Sequence, residues 1–456
     1  MQLNLKNSSS PSSFVCFLFL FLRELLLVPQ KMLFILDLHF FQGHAKMKPR
    51  MESITNFSEC QVGFKQSKGW EAEASTESKA AAGNNSTVSK HETTLPAFHI
   101  KSAKKKTTFL VGFDLGTGTS RVVGSSGTSK ENKFEKTYPT VVGYARDAIV
   151  DGVLPSQDKV FFGDDAVKFR SYLELKKPLS HGQVSDIAAA KGFFTYIRNQ
   201  ITQDTDNEVC VVLGVPSSTD EKAHDTLKNI ATGIFDRMLL IPTPFLAALG
   251  FRDESKLNNS DYTDPIKHSL FVDIGAGSTD LCLIKGYYPK QEDQNNLRNA
   301  GDQIDSVFAD SIQRQYPDTK LSITKVREIK EQCAYVGELQ NGVMTKVLVN
   351  GKPKNIDVGS LVGNACNQYL SELINTTVQL VTRVHSDSVE QILQNIVICG
   401  GGSQISNIAP EVQRLLLEQG YEYPKVTTVG KNYQNLVALG AWKVARSTPS
   451  EKWQHL

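Results

Sequence analysis

This chain lacks paired cysteines, a long uninterrupted apolar run and a charge excess of either sign. Its seven cysteines (Cys16, Cys60, Cys210, Cys282, Cys333, Cys366, Cys399) form no C-x-x-C pair. That pattern excludes a zinc ribbon and fits reduced thiols rather than a disulfide frame. A net charge of +2 gives no overall drive toward nucleic acid or an anionic membrane. The apolar stretch from Phe14 to Phe41 is broken by Arg23, Glu24, Lys31 and Asp37. It falls short of the ~20 apolar residues of a spanning helix, and its internal charges fit a signal peptide poorly. Direct membrane insertion is therefore not expected. Residues 51–106 carry too little apolar surface to fold and close on a basic run, Lys101 to Lys106, read as solvated. Residues 1–106 are thus read as an over-extended start or a disordered extension.

What remains is ordinary globular composition, with 40% hydrophobic and 21% charged residues in a chain of 456. That length predicts two or more domains. The most informative feature is a repeated turn. Phe113-Asp-Leu-Gly-Thr-Gly-Thr-Ser120 ends one apolar run, and Val272-Asp-Ile-Gly-Ala-Gly-Ser-Thr-Asp280 ends another. Each copy reads as strand, aspartate, two-glycine turn, hydroxyl residues and returning strand. Glycines let backbone N–H groups approach phosphate oxygens, hydroxyls add donors, and a carboxylate can hold a metal ion or its water. A lone Asp-x-Gly is also an ordinary hairpin signal. Two copies imply related halves clamping one nucleotide.

The folded part opens with strands around the first turn, and Tyr138 to Gly143 is expected to continue that sheet. Val160 to Gly163 marks a short strand, and a helix is predicted over Ser185–Arg198. Val209 to Pro216 reads as a buried strand. Ser217 or Ser218 is expected to cap a helix reaching Phe235. Leu239 to Phe245 reads as strand or turn, with a helix beginning near Phe245. The polar stretch from Asp253 to Asp264 is a surface loop between a first half, 107–264, and a second, 265–447, with 448–456 as a tail. Gln394-Asn-Ile-Val-Ile-Cys-Gly-Gly-Gly-Ser403 is a buried strand running into a triple-glycine turn. This alternation is α/β.

Asp114 and Asp273 are read as directing Mg²⁺, chiefly through water, although a single such aspartate often only caps its turn. Gly116, Thr117, Gly118 and Thr119 should cradle one end of the phosphates. Gly275, Ala276, Gly277, Ser278 and Thr279 should cradle the other. Gly400, Gly401 and Gly402 end a strand where absent Cβ atoms let a base or ribose lie on backbone. Taken alone, Lys330 and Glu331 are a solvated pair, and Gly301-Asp302 is a turn.

These blocks, in this order, resemble the superfamily of actins, heat-shock chaperones and sugar kinases across residues 107–447. The nearer resemblance is to bacterial actins, in particular those forming filaments along magnetosome chains. It is carried by Arg170-Ser-Tyr-Leu-Glu-Leu-Lys-Lys-Pro-Leu179, Val209 to Pro216, Val272 to Gly277, Ile329-Lys-Glu-Gln332 with Val336-Gly337, Leu393 to Val397 with Gly400 to Ser403, and the terminal Lys452 to Leu456. The resemblance implies an actin-like ATPase fold, with four subdomains around a central cleft holding ATP and Mg²⁺. It also implies head-to-tail self-association, a cytoplasmic filament and magnetosome-associated adaptor proteins as partners. By analogy Asp114, Gly116 to Gly118 and Asp273 to Thr279 meet phosphates and Mg²⁺. Gly301 approaches sugar or phosphates, Lys330 and Glu331 the ribose and base, and Gly401 and Gly402 the adenosine.

One departure bears on catalysis. Bacterial actins carry a Glu-Pro pair before the second phosphate turn, and its carboxylate orients the attacking water. Here the stretch reads Ile241-Pro-Thr-Pro-Phe245, so Thr243 occupies the glutamate position. A threonine hydroxyl bonds water but is a poor proton acceptor near neutral pH. Slow or absent hydrolysis is expected, with Asp273 and Thr243 as the residues nearest the chemistry. A cell-shape or plasmid-partition actin is the nearest alternative. A chaperone ATPase would need a peptide-binding domain that the stretch after Ser403 is too short to supply. A sugar kinase would need a catalytic aspartate base and sugar-binding insertions that the sequence does not display.

Overall fold

The computed structural model describes residues 106–456 except Lys130 and Ser218. The extension expected over residues 1–106 therefore lies, Lys106 apart, outside the described residues. Among those described, no helix is long and apolar enough to cross a membrane.

Two sheets dominate. The first runs Gln454–His455, Arg237–Pro242, Glu208–Val215, Thr108–Leu115, Thr119–Ser126, Lys133–Pro139. The second runs Gln294–Leu297, Thr279–Ile284, Ser269–Ile274, Ile396–Cys399, Val426–Thr428. Thr108–Leu115 and Ser269–Ile274 hold the same place. Each pairs antiparallel with the strand after its turn and parallel with a later, fully buried strand. The parallel neighbours read as continuous apolar runs, Val209 to Leu213 and Ile396 to Cys399, because both faces are covered. This is the α/β actin-like plan, and the internal duplication extends to strand order.

Some elements depart from expectation. The sheet does not continue through Tyr138 to Gly143. Its strand stops at Pro139, which has no N–H for the ladder. Val142–Ala145 instead joins Val160–Phe162 and Leu173–Lys176 in a separate three-stranded sheet. The predicted 185–198 helix spans Ile187–Ile201 and is capped by Asp186, which accepts from the Ala189 N–H at 2.9 Å. The next helix is capped not by Ser217 but by Asp220, accepting from the Ala223 N–H at 2.7 Å. It ends at Ala231, short of Phe235. Thr243, rather than Phe245, opens the helix that reaches Phe251. The 253–264 loop is anchored by Asp264, which forms a buried ion pair with Arg252 at 2.7 Å.

Two outer cores back the two sheets, and a third core lies between them. The middle core is built on the helices Thr243–Phe251 and Leu436–Ser447. The first contributes Phe245 to Leu249, the second Leu436, Val437, Ala441, Val444 and Ala445. They cross at Gly250 and Gly440. A Cβ on Gly250 would lie 2.0 Å from the Leu436 carbonyl oxygen, and one on Gly440 would lie 1.9 Å from that of Leu246. Only glycine permits this approach.

Candidate nucleotide cleft

Both turns close on one cleft of ≈ 720 Å³. Each turn is tightened by its own backbone. A Cβ on Gly116 would meet the Thr119 carbonyl oxygen at 2.4 Å, and Gly275 N–H donates to the Ser278 carbonyl at 2.9 Å. The tips meet. Gly277 faces Thr117 so closely that a Cβ would fall 2.5 Å from Oγ1, and Gly118 faces Ala276 with room for one at 3.3 Å. Gly400, at φ +73°, lies against the second turn, where a Cβ would sit 2.4 Å from Asp273 Oδ1. A Cβ on Gly402 would sit 2.2 Å from the Ile274 side chain. Gly400 and Gly402 are therefore pressed onto the aspartate-bearing strand end, and Gly401 between them faces open space.

Asp114 and Asp273 both line the cleft, as do Gly116 to Thr119, Gly275 to Ser278, Thr243, Gly301, Lys330, Glu331 and Gly400 to Gly402. Thr279 does not. It is buried, and its hydroxyl lies 2.8 Å from the Tyr369 hydroxyl and donates to the Asn299 carbonyl at 3.2 Å. Strand alternation decides this, because its side chain takes the face opposite the cleft. Lys330 is not a solvated side chain either. It ion-pairs with the buried Asp305 at 2.7 Å and donates to the Gly301 carbonyl at 3.0 Å. The helix Gly301–Gln315 begins on the second turn, with Gly301 N–H on the Gly275 carbonyl and Asp302 N–H on that of Ala276.

Electrostatically the cleft is strained toward protonation. Burial pushes Asp114 up to about 6, with Arg121 pulling it partly back. Burial raises Asp273 to about 7, and the charges of Asp114 and Asp280 add to the rise. Asp280 is raised by burial to about 6, although the Ser217 N–H, the Ser278 hydroxyl and the Asn296 amide all donate to it. Buried carboxylates gathered in this way are stabilised in ionised form by added positive charge. Among the described residues no three His, Cys, Asp or Glu side chains are grouped to enclose a metal. The donor set thus suits a cation completing its shell with water and phosphate oxygens.

Several lining residues were given no role by the sequence motifs. Arg121, Asp280, Asp302, Arg327, Gln404, Tyr433 and Gln434 reach the cleft from strands, helices and a late turn. The tight turn at His181 and Gly182, both at positive φ, straps the two halves together. Gly182 N–H fastens the turn to Thr117 Oγ1 of its own half at 3.2 Å, while across to the other half His181 Nδ1 lies 3.0 Å from the Arg298 carbonyl and Lys177 pairs with Asp302 at 3.1 Å. The run Lys-Lys-Pro-Leu before it was the available sequence signal.

Comparison with known proteins agrees with this architecture. Residues 110–449 match the MreB/Mbl protein family. The chain is 30% identical to the actin-like protein MamK of Paramagnetospirillum magneticum over 356 residues, 77% of this chain and 96% of that one. A solved MamK double helical filament superposes with a TM-score of 0.67 at 28% identity, covering 75% of this chain and 100% of its own. A non-polymerising MamK mutant bound to AMPPNP gives a TM-score of 0.54 at 28% identity, over 75% of this chain and 99% of that one. The chain belongs to the MreB/Mbl family of actin-like proteins.

Proposed function

We propose that this chain binds ATP with Mg²⁺ in the cleft and polymerises into a cytoskeletal filament that positions magnetosomes through adaptor proteins. The observation that carries the reading is the meeting of two aspartate–glycine turns across a single cleft floored by Gly400 to Gly402. MamK relatives solved as a filament and with AMPPNP support it. The halves 107–264 and 265–447 would act as jaws on the nucleotide. Bound Mg²⁺ would offset phosphate charge between Asp114 and Asp273. The turns would supply backbone N–H groups to the phosphates, Lys330 and Glu331 would border the ribose and base, and the strap at His181 would tie the jaws. Subunit contacts in such a polymer read the angle between jaws, so assembly needs ATP bound rather than cleaved.

Hydrolysis is proposed to be slow. Thr243 lines the cleft as the first residue of its helix, and its hydroxyl can position water without accepting the proton efficiently. Light scattering should rise when ATP and Mg²⁺ are added to the full chain, and electron microscopy should show filaments. Under the same conditions Thr243→Glu should release phosphate at least about tenfold faster than the parent. No scattering change with ATP would reject the filament reading. A parent rate at or above that of Thr243→Glu would reject only the role given to Thr243.

A further inference from the structure

Gln404 closes the short turn Gly401–Gln404 and lines the cleft just beyond the triple glycine. Its amide nitrogen donates twice, to Ser403 Oγ at 3.0 Å and to the Gly430 carbonyl at 3.1 Å. These two partners decide which end of the amide is which. A carbonyl can only accept, and the Ser403 hydroxyl spends its own proton on the Gly400 carbonyl at 2.7 Å, so it accepts from Gln404 as well. The nitrogen is thus held by two acceptors, and among the described residues Oε1 is left without a partner. The surroundings suit a base better than phosphates. Gly400 touches the Asp273 carboxylate, whereas the chain after Gln404 is stitched to the far end of the helix Ile323–Cys333, which carries Lys330 and Glu331. There the Ser406 N–H donates to the Ala334 carbonyl at 3.0 Å. Ala334, Ile405, Tyr433 and Leu436 line the cleft together with Gln404. An apolar and aromatic wall covers a flat ring and leaves its edge to be read by a few placed polar groups.

We infer that Gln404 reads the base: its Oε1 accepts from the exocyclic amino group of the purine and so selects 6-aminopurine nucleotides over 6-oxopurine ones. This rests on the nucleotide-binding reading and narrows its substrate class. A 6-oxo group would set oxygen against oxygen. The amide cannot turn its nitrogen to such a base without giving up both Ser403 and Gly430. The same nitrogen holds the turn Gly430–Asn435, which brings Tyr433 and Gln434 to the cleft. The acceptor is therefore fixed in place by the wall it belongs to.

The test is calorimetry on the full chain with Mg²⁺, titrating ATP and, separately, ITP, whose base carries a 6-oxo group in place of the amino group. The parent should bind ATP about 10- to 100-fold more tightly than ITP. Gln404→Met keeps the length of the side chain without the acceptor, and its two affinities should fall within about threefold of each other. A residue that only ties the late turn to the glycines would, on replacement, weaken both nucleotides alike and leave their ratio unchanged. An unchanged ratio in Gln404→Met therefore overturns the inference. So does a parent that binds ATP and ITP equally, a result that stands even if Gln404→Met does not fold. A parent that binds neither nucleotide rejects the nucleotide-binding reading itself.

Discussion

The two halves share strand order, turn length and the aspartate at the strand end, yet they are charged in opposite ways. Across the ladder from Asp114 stands Arg121, and across from Asp273 stands Asp280. One turn carries a cation of its own and the other concentrates negative charge. A duplicated backbone plan has thus produced an asymmetric site. Ladder register, rather than the glycine-rich motif, determines what each turn asks of its ligand.

The contrast can be broken most severely at the turn tips. Gly277→Ala places a methyl against Thr117, which is buried and short and has no flexible end to yield. It should wedge the turns apart and weaken ATP binding by about 10- to 100-fold, in line with overpacking costs of ~1–3 kcal/mol. Its counterpart Gly118→Ala meets only Ala276 at 3.3 Å and should stay within about threefold of the parent. Calorimetry on the two variants decides, and equal effects would show that the turns are not pressed together as described.

A second contrast lies in pH. Burial raises Asp114 and Asp273 in the fold to about 6 and about 7, well above the ordinary carboxylate value of 3.8. Between those values the folded chain holds more protons than the unfolded one, so the nucleotide-free protein should lose stability as pH rises from about 4 to about 7. ATP–Mg²⁺ favours the ionised carboxylates, so its affinity should rise over the upper part of that window. Thermal unfolding from pH 5 to 8, with and without ATP–Mg²⁺, should show opposite trends. Asp273→Asn should flatten both, and an unchanged pH profile in that variant would refute the assignment.

The smallest effect concerns residues that the turns share but the cleft does not use. Thr279 and its ladder counterpart Ser120 both spend their hydroxyls internally, on Tyr369 and on Thr140, each at 2.8 Å. Thr279→Val should cost about 1–2 kcal/mol of stability, read from the denaturant midpoint, and leave ATP affinity unchanged. A clear loss of affinity at normal stability would return Thr279 to the phosphate site.

These residues also mark how far the sequence could be read. The strand–aspartate–glycine turns, the triple glycine and the threonine in the Pro-Thr-Pro turn were legible because each is local, fixed by a few consecutive residues. Thr279 was misplaced because a turn motif does not say which hydroxyl faces the ligand once the strand has begun to alternate. Arg121 and Asp280 were given no role because each lies seven residues beyond its aspartate, and only the ladder register brings them opposite. The end of the first sheet at Pro139 was visible as a residue, but its consequence required knowing that the next strand joins another sheet. Asp220 caps in place of Ser217 because the helix opens only at Glu221, leaving Ser217 in the preceding turn, where its N–H donates to Asp280.

The crossing at Gly250 and Gly440 has a consequence for how the chain can be divided. The helix ending the first half packs on strands of the second sheet, while the helix ending the second packs on strands of the first. Each half thereby lends the other the cover for an apolar sheet face. A cut in the 253–264 loop would leave two fragments, each wearing its partner's lid and lacking its own. The boundary evident in the sequence is a seam in topology only, and the molecule is indivisible at the place where it most plainly repeats itself.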